Sequence, residues 1–242
     1  MEVSVFLLCY NESALLPHTI KHYRHYLPNC SITIYDNEST DNSVILAKSL
    51  GCNVISWSSN NIIDDFKYIE IKNNCWKSVK TGWVIVADMD EFLCVTEQDL
   101  VEETNNNVSV LTVNGVNMIG ESGTLDLTDI DLETIQKYSY CPSESKSLCF
   151  FREKVTSMNY QLGAHNCRPK GRIVFSKKIY TNKHMNFLGL EYYADKSKAR
   201  HSRSEMMRRR GIATHYTNCY ERAKSSYLSA LTRSLNNFNG LP

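Results

Sequence analysis

Trp83-Val84-Ile85-Val86-Ala87-Asp88-Met89-Asp90-Glu91-Phe92-Leu93 sets five apolar residues directly before a run of acids. A continuous apolar stretch of this length reads as a β-strand covered on both faces, the state of a strand inside a parallel sheet. Its abrupt end puts the carboxylates of Asp88, Asp90 and Glu91 just past the strand's carboxyl end, the edge at which open α/β sheets bind ligands. The same rhythm runs upstream. Residues 3–8 form another apolar run, followed by Asn11-Glu12-Ser13. Leu16, Ile20, Tyr23 and Leu27 then recur at helical spacing, with Pro17 in the first turn. A strand at 31–35 runs into Asp36-Asn37-Glu38-Ser39-Thr40-Asp41, which caps a helix from about residue 42 closed by Gly51. Residues 53–57 make a third strand, and 64–80 a helix with Phe66, Ile69, Trp76 and Val79 on one side. Alternating strands and helices imply a mainly parallel sheet with right-handed crossovers, so the polar clusters after the strands should line one edge.

After Leu100 the rhythm changes. Residues 108–113 read as a strand, 119–131 as a polar loop, and 148–152 and 172–175 as short strands. From Leu188 the pattern is helical and basic, with Lys196, Lys198, Arg200, Arg203, Arg208, Arg209 and Arg210. At 42% hydrophobic and 22% charged residues, the composition excludes a disordered or fibrous chain. Basic and acidic residues number 27 and 26, so net charge gives no ground to expect a nucleic-acid partner. No apolar run approaches the roughly 18 residues of a membrane span. The first residues lack the basic region, apolar core and cleavage site of a secretory leader. Nine cysteines without C-x-x-C or zinc-ligand spacing read as free thiols of a reducing compartment. The expected location is therefore the cytoplasm, or a host's cytoplasm or virion for a viral chain.

D-x-D alone is weak, since Asp129-Ile130-Asp131 is a second one in a polar loop. Asp88 and Asp90 differ by their context, two carboxylates at a strand's ligand edge, where a hard divalent cation could bridge them to a diphosphate. That context also carries a resemblance. Cys9-Tyr10-Asn11-Glu12, Tyr35-Asp36-Asn37-Glu38-Ser39-Thr40-Asp41 and Asp88-Met89-Asp90-Glu91-Phe92-Leu93 resemble blocks of the family 2 glycosyltransferases, especially the branch with a D-x-D-E-F signature. Gly163-Ala164-His165-Asn166-Cys167-Arg168-Pro169-Lys170-Gly171 and His184-Met185-Asn186-Phe187-Leu188-Gly189 resemble later blocks. So does Arg208-Arg209-Arg210-Gly211 with Thr214-His215-Tyr216. Their order and spacing together carry the resemblance, which covers most of the chain.

The resemblance implies the GT-A fold, a Rossmann-like, mainly parallel α/β sheet flanked by helices, with a helical basic C-terminal segment. It implies one domain over residues 1–242. About 1–95 would form its nucleotide-sugar half, about 96–190 its acceptor and metal half, and about 191–242 its helical tail. Asp36 then matches the base-contacting position, with Tyr10, Asn11 and Glu12 near base and ribose. Asp88 would approach the ribose or metal, and Asp90 would ligate Mn²⁺ or Mg²⁺. Asn74 and Lys77 fall in a helix that contributes nucleotide or sugar contacts. One departure stands out: the family's second block more often reads D-D-G-S-T-D, whereas Glu38 here occupies the glycine position.

His18, His22 and His25 lie mostly on the polar side of the first helix and receive no role. His184 matches a block that supplies a third metal ligand, and His165 is a second candidate or a pocket residue. Inversion at the sugar needs a carboxylate to deprotonate the acceptor hydroxyl, for which Glu91, Glu121, Asp126 and Glu191 are candidates. The basic stretch from Lys196 reads first as a solvated helical face. Its other reading is that one or two arginines, with Lys146 or Lys170, neutralise a diphosphate leaving group. The expected function is metal-dependent sugar transfer from a nucleotide-sugar donor, a UDP-sugar above others, to a hydroxyl on a glycan, lipid-linked or protein acceptor. The rivals are an inactive nucleotide- or glycan-binding domain and a sugar nucleotidyltransferase. Against the latter, Cys9-Tyr10-Asn11-Glu12-Ser13 stands where a Gly-rich, Arg-containing phosphate loop is wanted.

Overall fold

The structure, a computed structural model, describes residues 1–121, 123, 126–236 and 238. Strands β1 (Val3–Cys9), β2 (Ser31–Asp36), β3 (Asn53–Ser56) and β4 (Trp83–Asp88) pair in parallel in the order β3-β2-β1-β4. Side chains alternate between two covered faces, so β1 and β4 are apolar except for Ser4 and the terminal Asp88. Val5, Leu7, Trp83, Ile85 and Ala87 pack on one face with Leu16, Ile20, Tyr23 and Leu27 around helix α1 (Leu16–Tyr26), and with Ala47 of α2 (Ser43–Ser49). Phe6, Val84 and Val86 face the other way, against Trp76, just after α3 (Asp65–Asn74). Gly51 closes α2 with φ near +68°, the left-handed conformation glycine adopts freely.

The chain then leaves the centre of the sheet. A turn at Met89 and Asp90 sends β5 (Glu91–Cys94) to the far edge, followed by α4 (Glu97–Asn105) and β6 (Val110–Ile119). Short strands β7 (Tyr138–Tyr140) and β8 (Cys149–Phe151) follow. β9 (Val155–Ser157) and β10 (Lys170–Gly171) make a separate two-stranded ribbon before the long β11 (Phe175–Phe187). Beyond β4 the sheet continues β8-β6-β11-β5, with β7 on β6. β3, β2, β1, β4, β6 and β11 run in one direction, and β5, β7 and β8 run against them. The sheet is thus mixed but mainly parallel, flanked by helices, as expected. Helices α5 (Leu190–Arg203), α6 (Glu205–Arg209) and α7 (Tyr220–Thr232) confirm the helical tail.

Several expectations change. The helix expected over 64–80 ends at Asn74, where i→i+3 bonds from Lys77 to Asn74 and from Val79 to Trp76 tighten the chain into turns. Its expected apolar side fails too, because Phe66 is exposed and the one buried residue of α3 is Lys72. The strand expected at 108–113 continues to Ile119, whereas of the one expected at 172–175 only Phe175 is strand, as the first residue of β11. Ser122, Thr124 and Leu125 of the expected 119–131 loop lie outside the described residues. All nine cysteines are free. No helix among the described residues is long and apolar enough to cross a membrane.

Gly115 lets one loop close tightly on the sheet, since a Cβ there would lie 2.3 Å from the Glu144 carbonyl carbon. His22, expected on a polar face, is buried. Its Nε2 faces Leu93 O at 3.0 Å and its Nδ1 faces Glu133 Oε1 at 2.7 Å, while Lys183 Nζ of β11 lies 2.7 Å from Glu133 Oε2. Burial pushes the Glu133 carboxyl up, but bonds and charges from His22 and Lys183 outweigh it and bring the group down to about 2, from an ordinary 4.5. A depressed carboxyl stabilises fully above its unfolded value, and that contribution is lost as pH falls through the folded value. Glu133→Gln should therefore lower the thermal midpoint at pH 7. It should also flatten the loss of stability between pH 4.5 and about 2 seen by circular dichroism in the unmodified chain.

Candidate active site

Register brings the polar clusters together. Cys9 pairs with Asp36 and Leu8 with Asp88, so the ends of β1, β2 and β4 lie level at one edge. His184 of β11 pairs with Asn117 on one side and Glu91 on the other, and Met185 N donates to Asp90 O at 2.7 Å. Above this edge opens a cavity of about 940 Å³. It is lined by Tyr10, Asn11, Glu12, Asp88, Asp90 and His184, with His165 at its rim.

The carboxylates here are matched by cations. Asp90 is 3% exposed, and its Oδ2 lies 3.0 Å from both Lys196 Nζ and Arg200 Nη2, and 3.6 Å from His184 Nε2. Burial alone would raise the Asp90 carboxyl, but Lys196, His184 and Arg200 hold it well below the ordinary carboxylate range. Lys196 also lies 3.0 Å from Glu12 Oε1, yet burial dominates there and raises the Glu12 carboxyl. Asp88 contacts Lys72 at 2.8 Å and Lys146 at 3.8 Å; burial raises it, the two ammonium groups outweigh that, and the carboxyl falls below its usual value. Lys146 is also 2.7 Å from Glu91 Oε1 and 2.9 Å from Glu144 Oε2. Burial would neutralise its ammonium, but Glu91, Asp88 and Glu144 raise it well above the ordinary lysine value.

His184 Nδ1 meets Asn117 Oδ1 at 2.8 Å, so an N–H there donates to the amide and Nε2 turns toward Asp90. Burial lowers the ring's proton affinity, but Asp90 and Glu144 outweigh it and raise the imidazole above its ordinary value. Asp36 is buried beside the cavity. Its Oδ2 accepts from Ser39 N at 3.0 Å, while its Oδ1 has no hydrogen-bond partner among the described residues. Glu38 takes φ +55°, a left-handed conformation that glycine adopts more freely, and its carboxylate accepts from Ser58 Oγ at 2.6 Å. Asn11 ties the β1 loop to the β2 loop, its Oδ1 accepting from Thr40 N at 2.7 Å. Tyr10 lies under the Arg203 guanidinium, 3.1 Å from its ring centre.

Other expected residues sit elsewhere. Asn74 donates to Glu70 O, and Lys77 donates to Thr156 O at 2.7 Å, both outside the cavity. From the same helix, Asp65, Tyr68 and Lys72 line it instead. Glu91 is fully buried behind the site, its Oε2 accepting from Asp88 N at 2.7 Å. Glu121 pairs with Lys137 at 2.8 Å, and Glu191 accepts from Tyr220 OH at 2.5 Å, both on the outside. Asp126 is exposed and holds Thr128. His165 Nδ1 faces Ser143 O at 2.6 Å. Sequence reasoning missed Lys72, Glu144 and Tyr192, and it read the face of α5 that carries Lys196 and Arg200 first as solvated. The signal was there: Tyr192, Lys196 and Arg200 recur every four residues, which stacks them on one helical face. Lys170 lies away from the cavity.

No family model matches the chain. Over 103 residues, 42% of this chain and 32% of the relative, it is 31% identical to an uncharacterized glycosyltransferase of Rickettsia prowazekii. Over the same share it is 29% identical to an uncharacterized glycosyltransferase of Rickettsia bellii. The match thus spans about a third of the length of these relatives. Among solved structures, S. aureus TarS 1-349 in complex with UDP-GlcNAc is 11% identical with a TM-score of 0.47, over 82% of this chain and 65% of that one. Glucosyl-3-phosphoglycerate synthase from Mycobacterium tuberculosis, in complex with Mn²⁺, UDP and glucosyl-3-phosphoglycerate, is 17% identical with a TM-score of 0.33, over 47% and 44% of the two chains. The chain is similar to proteins named glycosyltransferases.

Removing Lys146 would leave Glu91 and Glu144 buried without their shared counter-charge. Breaking a buried pair on one side costs about 3–5 kcal/mol, and about 1 kcal/mol moves the midpoint of a chain this size by roughly 2–4 °C. Lys146→Met should therefore lower the calorimetric midpoint by about 6 °C or more.

Proposed function

We propose that the chain is a glycosyltransferase that moves a sugar from a nucleotide-sugar donor, a UDP-sugar first among those to test, to an acceptor hydroxyl with inversion. One observation carries this reading. Carboxylates at the ends of β1 and β4, an imidazole on β11 and cations on α3 and α5 converge in one open cavity at the carboxyl edge of a mainly parallel sheet. Asp36 does not itself line the cavity, but it pairs in register with Cys9, which does, and its unpartnered buried Oδ1 is an acceptor that a base N–H would satisfy.

The donor set fits a divalent cation. Asp88, Asp90 and His184 supply two carboxylates and an imidazole. The bond from His184 Nδ1 to Asn117 is the outer support that a metal-bound imidazole needs on its other nitrogen. Of the groups lining the cavity, six are carboxylates (Glu12, Asp65, Asp88, Asp90, Glu144 and Asp195) and five are Lys or Arg (Lys72, Lys146, Lys196, Arg200 and Arg203). A diphosphate entering alone would thus deepen an existing negative excess. The ion pairs of the site mean that, among the described residues, no three His, Cys, Asp or Glu groups stand ready as a cage. Binding must then loosen Lys196 and Arg200 from Asp90. Bound there, Mn²⁺ or Mg²⁺ would stabilise the departing nucleoside diphosphate as a Lewis acid.

This chain's own groups do the rest. Asp36 orients the base, and Tyr10, stiffened by Arg203, borders the nucleoside. Lys196 and Arg200 donate to phosphate oxygens as the sugar leaves, the guanidinium suiting two oxygens at once. Glu91, Glu121 and Glu191 do not line the cavity; with Asp88 and Asp90 given to the metal and Glu12 to the nucleotide, the lining carboxylates left to take the acceptor proton are Asp65, Glu144 and Asp195.

Nucleotide-induced shifts in the thermal midpoint test the donor. UDP with Mn²⁺ should raise the midpoint more than UDP alone, and Asp90→Ala should abolish the difference. His184→Ala should weaken Mn²⁺ dependence more than His165→Ala does; the opposite order would move the ligand role to His165. Asn or Gln replacement at Asp65, Glu144 and Asp195 should expose the base as the variant that keeps the UDP shift while turnover falls about a hundredfold or more. Donor hydrolysis absent at every nucleotide would favour a binding domain without turnover.

A further inference from the structure

The start of β11 inverts the pattern expected of a strand packed on a core. Ser176 is buried, its Oγ accepting from Thr112 N at 2.8 Å and donating to Lys178 O at 2.7 Å. On either side of it, across a break in the pairing with β6, Phe175 and Ile179 are 48% and 55% exposed, and Val174 just before them is 42% exposed. A strand that buries serine and presents Val, Phe and Ile to solvent marks a surface shaped for something outside the chain.

The surroundings are basic. Residues 168–178 hold Arg168, Lys170, Arg172, Lys177 and Lys178 and no acid, so with the chain at +1 the remainder sums to −4 (+1 − 5). Among the described residues only Lys178 of these five is ion-paired, to Asp99 at 2.7 Å. The β9–β10 ribbon gathers further cations beside them. Arg172 N donates to Lys154 O at 2.8 Å, and Lys77 Nζ donates to Thr156 O at 2.7 Å. Acids border the patch as well: Glu153 Oε2 accepts from Gly82 N, and Asp99 and Glu103 of α4 hold Lys178 Nζ and Tyr180 OH at 2.7 and 2.8 Å. Phe175 pairs with Val110, the first residue of β6, so this face lies at the amino ends of the parallel strands, opposite Asp88 and Asp90.

We propose that this face docks the protein on an anionic lipid bilayer. Arg168, Lys170, Arg172 and Lys177 meet the headgroup charges, while Val174, Phe175 and Ile179 enter the boundary between headgroups and acyl chains. Charge complementarity and the aliphatic members of the patch select this partner. A nucleic acid would leave Val174 and Ile179 without bases to stack on, since stacking needs aromatic rings. A two-fold pairing of this face with its own copy would oppose two concentrated positive patches. The proposal is independent of the reaction at the other edge.

Sedimentation of the full chain with phosphatidylcholine vesicles, with and without about a third phosphatidylserine, tests it. Binding should require phosphatidylserine and should vanish near 1 M salt, where the screening length is about 3 Å. Each cation near such a surface is worth about a factor of five, so Arg168→Glu/Lys170→Glu/Arg172→Glu should lower partitioning at least tenfold. Phe175→Ser/Ile179→Ser should lower it further at unchanged salt dependence, and both variants should keep the UDP–Mn²⁺ shift. The proposal falls if phosphatidylserine vesicles are not bound, or if they are bound no better than phosphatidylcholine. It falls equally if the triple charge reversal leaves binding intact. Loss of duplex DNA binding or of a dimer in that variant, without vesicle binding in the unmodified chain, would replace the lipid with that partner.

Discussion

A carboxylate almost out of water organises this molecule. Asp90 cannot stay ionised and buried without close counter-charges, because removing an ion from water costs several kcal/mol even after relaxation. Lys196 and Arg200, each 3.0 Å away, supply them, and Lys196 is shared with Glu12. That requirement explains why α5 lies over the sheet edge rather than on the sheet's side. It also explains why the loop after β1 reaches toward a helix more than 180 residues later, and why His184 points from β11 into the same space. Helix, loop and strand meet because one turn after β4 asks them to.

The parallel half of the sheet was legible because strands covered on both faces are continuous apolar runs, and β1 and β4 are such runs. β11 was not, since eight of its thirteen residues are polar or charged, and Asn182 and Lys183 are buried in succession where strict alternation would expose one of them. β5 escaped notice because its first residue, Glu91, belongs to the acidic run, and a fully buried glutamate contradicts every compositional prior until Lys146 is seen beside it. Helix α3 was overextended because Trp76 and Val79 kept the helical spacing through turns that share the same local periodicity.

In the site, positions fixed by strand register were legible, and those fixed by long-range pairing were not. Asp36, Asp88 and Asp90 follow from strand ends alone. Glu144 arrives through a turn that Gly115 permits to press on β6, a closeness visible only in three dimensions. Lys72 falls at helical spacing between Ile69 and Trp76 but was passed over as a charged residue; it is the one buried residue of α3, paired with Asp88 at 2.8 Å. Among the candidates for the base, Glu121 and Glu191 lie outside the cavity lining and pair at the surface with Lys137 and Tyr220, positions that single-sequence spacing does not fix.

The distance along the chain between Asp90 and its partners, 106 and 110 residues, has a consequence during synthesis. At roughly 5–20 residues per second a ribosome needs about 5–20 s to make that interval. Until Lys146 emerges, Lys72 is the one cation made that contacts the carboxylates Glu12, Asp88, Asp90 and Glu91 among the described residues. Asp90 and Glu12 wait longer still, for α5, so this edge settles after the parallel strands have formed.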